Sequence, residues 1–226
     1  MMRLLILISI FYTQSISGQS AADIVKKSYS QFQKLASYSS DIRFKFDIPT
    51  VNIKNLNGKV YYKSPDKYRV KVDGIAFIPN ENPMKIYSYL GDKTKYNVLL
   101  NSTETVNGMK CHVINIIPNG EADFILGKLW LSQTNNCPYK VELTTRRGTV
   151  KMENYFKTML TYGLPDKVIF YLENFKAPKG KGLGPKKETK EEKIGTITML
   201  YTNYQINTPI ADSFFPKKII GKTSNK

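Results

Sequence analysis

The sequence predicts a mainly β domain of the α+β class, built around an antiparallel sheet with one apolar and one polar face. Apolar and charged residues alternate along most of the chain, and the alternating segments follow one another through short polar connections. We count about ten or eleven such strands behind one amphipathic helical segment. Because the chain has 226 residues, of which 41% are hydrophobic, it can bury one sizeable core.

Residues 1–18 have the layout of a secretory signal peptide. Arg3 precedes an apolar run at residues 4–12, which small and polar residues follow. This run is too short to span a bilayer as a helix. We therefore expect export, with cleavage within a few residues of Gly18, and a single mature domain at residues 19–226.

The first mature elements are a helix and a strand. Residues 21–38 predict an amphipathic helix, because Ile24, Phe32 and other apolar residues recur with helical spacing on one face. Residues 40–48 predict a strand, in which Phe44 and its apolar neighbours alternate with charged residues. The natural arrangement is a helix packed over a sheet.

Residues 58–74 predict the clearest hairpin of the chain, with a turn at residues 64–67. Val60 and Tyr62 share one face of its first strand, while Tyr68, Val70 and Val72 share one face of its second. The opposite face is basic and carries Lys59, Lys67, Arg69 and Lys71. One side of the hairpin therefore belongs against a core and the other in solvent.

The rest of the chain continues as an up-and-down meander. Further strands are predicted at residues 85–90, 95–100, 109–118, 127–132, 137–145, 149–157, 167–175 and 196–206. Short helical pieces are expected at residues 79–84 or 122–126. Residues 176–193 are rich in Lys, Gly, Glu and Pro, so we expect a mobile basic loop there.

The polar residues favour neither catalysis nor metal binding. The single histidine, His112, has no acidic or cysteine base partner in a known spacing, and no Gly-x-Ser-x-Gly motif is present. Cys-x-x-Cys and His-x-x-x-His spacings are missing as well, so no metal or other cofactor is indicated. We expect a protein that is not an enzyme, with Cys111 and Cys137 paired as a disulfide because the chain is exported.

The formal net charge of +16 indicates attraction to anions. Behind a signal peptide, an anionic membrane surface or an acidic protein partner is a better candidate than nucleic acid. The alternative is a solvated basic surface without a partner. We expect a monomer.

Several segments in order resemble the LolA-like outer-membrane lipoprotein-sorting family over nearly the whole mature chain. They are residues 41–46 (Asp-Ile-Arg-Phe-Lys-Phe), 58–70 (Gly-Lys-Val-Tyr-Tyr-Lys-Ser-Pro-Asp-Lys-Tyr-Arg-Val), 129–131 (Leu-Trp-Leu), 138–142 (Pro-Tyr-Lys-Val-Glu) and 207–215 (Asn-Thr-Pro-Ile-Ala-Asp-Ser-Phe-Phe). The resemblance implies an unclosed β-barrel of about eleven strands, with helices as a lid over an apolar concave face. It also implies a periplasmic carrier of a Gram-negative bacterium that shields acyl chains of lipoproteins or lipids on their way to the outer membrane.

On this interpretation the ligand is an acylated lipoprotein or lipid, passed from an inner-membrane transporter to an outer-membrane acceptor. The predicted ligand-binding residues, whose other possible role is ordinary core packing, are Phe44, Phe46, Val60, Tyr62, Tyr68, Val70, Leu129, Leu131, Val141 and Leu143. The helix and the loops at 79–84 and 122–126 would move as the lid. Ser64 stands where the best-known carriers have an arginine that helps hold the lid. The alternative function is therefore a non-enzymatic envelope regulator or protein-binding module on the same fold.

Overall fold

The structure is a computed structural model. It describes residues 19–48, 53–72, 85–146, 148–172 and 195–215. The helices are α1 (Ala21–Phe32) and α2 (Lys85–Leu90), and short 3-10 turns lie at Lys93–Lys95, Leu160–Tyr162 and Asp212–Phe214. The strands are β1 (Ser37–Asp47), β2 (Leu56–Lys63), β3 (Lys67–Val72), β4 (Tyr96–Val106), β5 (Met109–Pro118), β6 (Leu126–Ser132), β7 (Pro138–Thr145), β8 (Gly148–Tyr155), β9 (Lys167–Leu172) and β10 (Gly195–Ile206).

All ten strands form one sheet in the order β3-β2-β1-β10-β9-β8-β7-β6-β5-β4. Every pairing is antiparallel, and β3 and β4 remain as the two edges in the part of the chain described. Val60 near one edge and Ile114 near the other belong to the same buried cluster, so the sheet curves around a shared core. The predicted mainly β fold with an unclosed antiparallel sheet and an N-terminal helix is confirmed, with ten strands where about eleven were expected.

The sheet has the two faces that its alternating sequence predicts. On β1, Ile42 and Phe44 are buried on the concave face, while Arg43 and Lys45 are exposed on the outer face. Helix α1 packs against the concave face. The core therefore lies between the curved sheet and the helices, since Ile86 and Leu90 of α2 belong to the same buried cluster.

Helix α1 ends at Phe32 rather than at the expected residue 38. Asn207 binds the backbone that follows, because its Oδ1 accepts from Ala36 N at 2.8 Å and its N donates to Ser37 O at 2.8 Å. Ser64 N also donates to Ala36 O at 2.9 Å. These tertiary hydrogen bonds bring residues 37–38 into β1, where helical spacing alone predicted a longer helix.

The strand predicted at residues 85–90 is wrong, because this segment is helix α2. Ile86 and Leu90 are both buried, and four residues apart they lie on one face of a helix. Of the two places expected for a short helical piece, residues 122–126 are not helical, since the chain there is irregular until β6 begins, and residues 79–84 lie outside the described residues. Phe124 holds this loop on the core and contacts Tyr89 with ring centroids 5.1 Å apart.

Cys111 and Cys137 are both free thiols in the structure, so the expected disulfide is not formed there. Cys111 lies on β5 and Cys137 directly precedes β7, so β6 separates them. Two strand spacings amount to roughly 10 Å, which exceeds the Cα–Cα reach of a disulfide, about 4.4–6.8 Å. Burial raises the pKa of the Cys111 thiol to about 11 and that of Cys137 to about 12.

Other sequence predictions fall outside the residues that the structure describes. They are the signal peptide at 1–18, the helical piece at 79–84 and the basic loop at 176–193.

Candidate functional site

The ten residues predicted to contact a ligand come together in one apolar cluster on the concave face. Six are buried, namely Phe44, Val60, Tyr62, Leu129, Leu131 and Val141. The other four are partly buried and pack against them, namely Phe46, Tyr68, Val70 and Leu143. The sequence pattern thus located this apolar face. The ligand-contact role of these residues stays a prediction.

Helix α1 covers this apolar face. Its buried side chains include Ile24, Val25 and Phe32, and the ring of Phe32 lies 5.2 Å from that of Tyr62. The helix begins with a capping hydrogen bond, in which Asp23 N donates to Ser20 Oγ at 3.1 Å. One amphipathic helix therefore keeps water from a large part of the concave face.

A polar contact fixes the C-terminal end of α1. Gln31 Nε2 donates a hydrogen bond to Asn135 O at 2.5 Å, and the Cys137 thiol donates to Gln31 Oε1 at 3.5 Å. Asn135 belongs to the connection between β6 and β7. This end of the helix is thus tied to the sheet by directional bonds, whereas its middle is held by apolar packing.

The hydroxyl group of Ser28 is buried beneath the helix without a hydrogen-bond partner among the described residues. Ser28 is 1% exposed, and its Oγ has no hydrogen-bond partner in the part of the chain that the structure describes. A buried hydroxyl without a partner costs about 1–3 kcal/mol. The packing of α1 on the sheet is therefore less favourable than a wholly apolar contact would be.

A group of tyrosines lines one end of the concave face, and sequence reasoning found only part of it. The group consists of Tyr38, Tyr62, Tyr68, Tyr201 and Tyr204. The rings of Tyr38 and Tyr62 stack at 5.4 Å, and those of Tyr201 and Tyr204 at 6.1 Å. Helical spacing in the sequence places Tyr38 in the helix, whereas the structure places it in β1. The period-two alternation along β10 was the signal that could have shown Tyr201.

The hydroxyl groups of these tyrosines are neutral donors within the apolar face. Tyr62 donates to Pro65 O at 3.1 Å, and Tyr204 donates to Pro165 O at 2.6 Å. Desolvation raises the pKa of Tyr62 to about 12 and also raises that of Tyr204. Because both hydroxyl hydrogens are already donated to backbone carbonyls, these oxygens can accept a hydrogen bond from an N–H or O–H group of a ligand but are not suited to proton transfer near neutral pH.

Large apolar side chains are exposed near the β4 edge of the sheet. They are Leu99, Leu100, Ile117 and Ile125, which are 40–57% exposed. They lie on β4, on β5 and directly before β6, close in the sheet to the inward residues of those strands. Because Ile117 follows the inward-facing Ile116, and Leu99 precedes Leu100, which pairs with the inward-facing Ile114, Leu99 and Ile117 lie on the outer face of the sheet.

The described residues contain neither a candidate metal site nor a candidate membrane-spanning helix. Within them no three His, Cys, Asp or Glu side chains are grouped to hold a metal ion. Nor does any described helix have both the length and the apolar character to cross a bilayer. The chemistry available on the concave face is apolar contact and neutral hydrogen bonding.

Solved structures share this architecture. A LolA superfamily protein from Nitrosomonas europaea superposes with a TM-score of 0.58 at 14% identity, over 88% of this chain and 98% of that protein. The chain has a LolA-like fold. A DUF1329 family protein from Desulfovibrio piger also matches the LolA-like fold of this chain, with a TM-score of 0.58 at 11% identity, over 87% of this chain and 96% of that one.

A proposed outer-membrane lipoprotein-sorting protein domain from Vibrio parahaemolyticus shares the LolA-like fold too. Its TM-score is 0.51 at 13% identity, over 85% of this chain and 94% of that one. No protein-family model matches the chain. No curated protein matches it in sequence. The fold resemblance inferred from the sequence motifs is confirmed, and at these identities the structural likeness concerns the fold alone.

Proposed function

We propose that this protein is a carrier that shields acyl chains of lipoproteins or lipids on its concave face during transport to the outer membrane. The observation that carries the proposal is a continuous apolar face covered by the 12-residue helix α1, with Ile86 and Leu90 of α2 packed into the same cluster. Helix α1 acts as the lid, and an acyl chain takes its place against the sheet. The predicted ligand contacts are the ten apolar residues described above.

The free energy gained by burying an acyl chain and the free energy needed to displace α1 are of comparable size, which suits reversible binding. Burying an acyl chain of about sixteen carbons gains on the order of 10 kcal/mol, at about 0.8 kcal/mol for each methylene. Displacing α1 exposes Ile24, Val25 and Phe32, which costs about 2 kcal/mol for each side chain. Part of the gain from the ligand thus offsets the opening of the lid, and closure of the lid favours release.

Two features of α1 support its role as the moving part. The unpartnered hydroxyl of Ser28 regains hydrogen bonds to water when the helix lifts, which lowers the cost of opening. The bond from Gln31 to Asn135 O, at the C-terminal end, can be exchanged for hydrogen bonds to water when the whole helix lifts. The proposed opening therefore moves α1 along its full length, including Phe32.

The proposed cellular setting is the periplasm of a Gram-negative bacterium. The signal-peptide layout of residues 1–18 supports export. The lipoprotein-sorting name of the Vibrio parahaemolyticus domain that shares the fold supports the same setting. The proposed partners are an acylated lipoprotein or lipid, an inner-membrane transporter and an outer-membrane acceptor.

The proposal is tested by purifying the protein from its own envelope under gentle conditions and analysing its organic extract by mass spectrometry. We expect acyl-bearing molecules in an amount close to one per protein chain. Another exported protein purified in parallel from the same envelope controls for lipid carried over from the membrane. An extract no richer in acyl chains than that control contradicts the carrier proposal and supports the protein-binding alternative.

A further inference from the structure

The outer face of the β2–β3 hairpin concentrates positive charge. Lys59 is paired directly with Lys71, and Lys63 is paired directly with Lys67. Arg69 adds a fifth cation opposite Tyr61. Like charges directly opposite one another destabilise a sheet, so this arrangement is unfavourable unless anions lie nearby.

Asp41 and Asp212, two carboxylates on this surface, are already engaged. Asp41 lies 3.4 Å from the Lys59 ammonium group. Asp212 lies 2.6 Å from Lys63 Nζ and 2.8 Å from Lys67 Nζ. These ion pairs leave neither carboxylate to neutralise the remaining cations of the hairpin.

Three cations next to these pairs have no carboxylate partner within the described residues. Arg43 donates from Nε to Asn57 Oδ1 at 3.1 Å, and Arg69 donates to Phe214 O. Arg69 and Lys71 also lie over the ring of Phe214, at 5.0 Å and 4.4 Å from its centroid. Among the residues that the structure describes, the contacts of these three cations are to neutral groups, so their charges can pair with an anion.

The cations line a groove rather than a flat surface. One cleft of about 640 Å³ is lined by Arg43, Lys59 and Lys71 among others, and a second of about 600 Å³ is lined by Arg69 and Phe214. Tyr61 lines both clefts, so they adjoin. The groove combines cationic groups with aromatic and aliphatic surface.

The C-terminal segment at residues 208–214 forms one wall of this groove and is firmly fixed. Lys63 Nζ donates to Ile210 O at 2.8 Å in addition to its ion pair with Asp212. Ser37 Oγ donates to Thr208 O at 2.5 Å. A preformed wall lowers the ordering cost of binding.

We propose that this groove binds an acidic, extended segment of a partner protein. The first cleft and the second follow β1 from Ser39 to Arg43, which is roughly 13 Å at about 3.3 Å for each residue and fits about four extended residues. Carboxylates of the segment pair with Arg43, Arg69 and Lys71, and its apolar side chains contact Phe214. The clefts follow a strand and combine cationic with aromatic and aliphatic groups, which matches an extended peptide that carries both carboxylates and apolar side chains. This binding lies on the face opposite the proposed lipid site and does not depend on it.

The test uses an array of fluorescein-labelled ten-residue peptides that carry four glutamates in different spacings among leucines and serines. Binding to the full mature chain is measured by fluorescence anisotropy at physiological salt. Arg43→Glu and Lys71→Glu are the test variants, and both side chains are exposed. Lys110→Glu on β5, near the other end of the sheet, is the control with the same charge change.

We expect at least one acidic peptide to bind, with about tenfold weaker affinity in each test variant because a charged hydrogen bond is lost. Lys110→Glu should retain the wild-type affinity. Three results overturn the proposal: no acidic peptide binds, all three variants lose affinity equally, or only phosphatidylglycerol vesicles respond to the test variants. Circular dichroism confirms that each variant is folded.

Discussion

Replacing Phe32 with alanine should loosen α1 over the concave face and speed the entry of a lipid. Phe32 is 4% exposed and contacts Tyr62 with ring centroids 5.2 Å apart. Removing a buried phenylalanine side chain costs about 3 kcal/mol at the lower end of the usual range. Because this contact is made only with the lid closed, the open population should rise roughly 100-fold.

The assay combines stopped-flow binding of cis-parinaric acid with hydrogen exchange of the amides of α1. Phe156→Ala is the comparison variant. Phe156 is partly buried and packs against Tyr139 with centroids also 5.2 Å apart, in a second apolar cluster on the outer face that is formed by Cys111, Val113, Trp130, Cys137 and Tyr139. We expect faster exchange in α1 and faster lipid binding in Phe32→Ala alone. Faster exchange in α1 without faster lipid binding would refute the lid mechanism.

Three further results follow from the structure. Glu104→Ala removes the carboxylate that accepts a hydrogen bond from the Trp130 indole N–H at 2.7 Å. The free energy of unfolding in urea should fall by about 1–2 kcal/mol, and the tryptophan emission should shift to longer wavelength. Unchanged emission would contradict this contact. Cys111 and Cys137 are buried with raised pKa values, so Ellman's reagent should detect no thiol in the native protein at pH 8. In urea without reductant it should detect two thiols per chain. Fewer than two would indicate that the disulfide is formed after all. Hydrogen bonds from Lys63 and Lys67 lower the pKa of Asp212 to about 2. The ion pairs of Asp212 should therefore hold above pH about 4 and be lost as the pH falls toward 2, which should speed amide exchange in residues 208–215. Asp212→Asn should show this faster exchange already at pH 7, and slow exchange in this variant would contradict a role of the ion pairs in holding the segment.

The strands could be predicted from the sequence because their signal is local. Strand β5 has the bounds that alternation indicated, and the β2–β3 hairpin has its apolar face where expected. A period of two residues directly shows which side chains share a face. The same signal located the concave cluster.

Features set by distant contacts could not be predicted in this way. The end of α1 depends on Asn207, which lies 171 residues beyond its partner Ala36. Helix α2 has six residues, too few for a helical period to be distinguished from alternation. The groove on the outer face exists because residues 208–214 fold back over β2 and β3. No local sequence pattern predicts the contact between this segment and the hairpin. Alternation also cannot tell a ligand contact from a core residue, because both are apolar and face inward.

Photo-crosslinking with a palmitic acid that carries a diazirine on its chain tests the central claim most directly. After irradiation and digestion, mass spectrometry should place the label on concave-face residues such as Phe44, Val60 and Leu131. The label should be absent from the outer apolar cluster around Trp130. Label spread equally over both faces, or confined to the outer face, would contradict a carrier that holds acyl chains beneath α1.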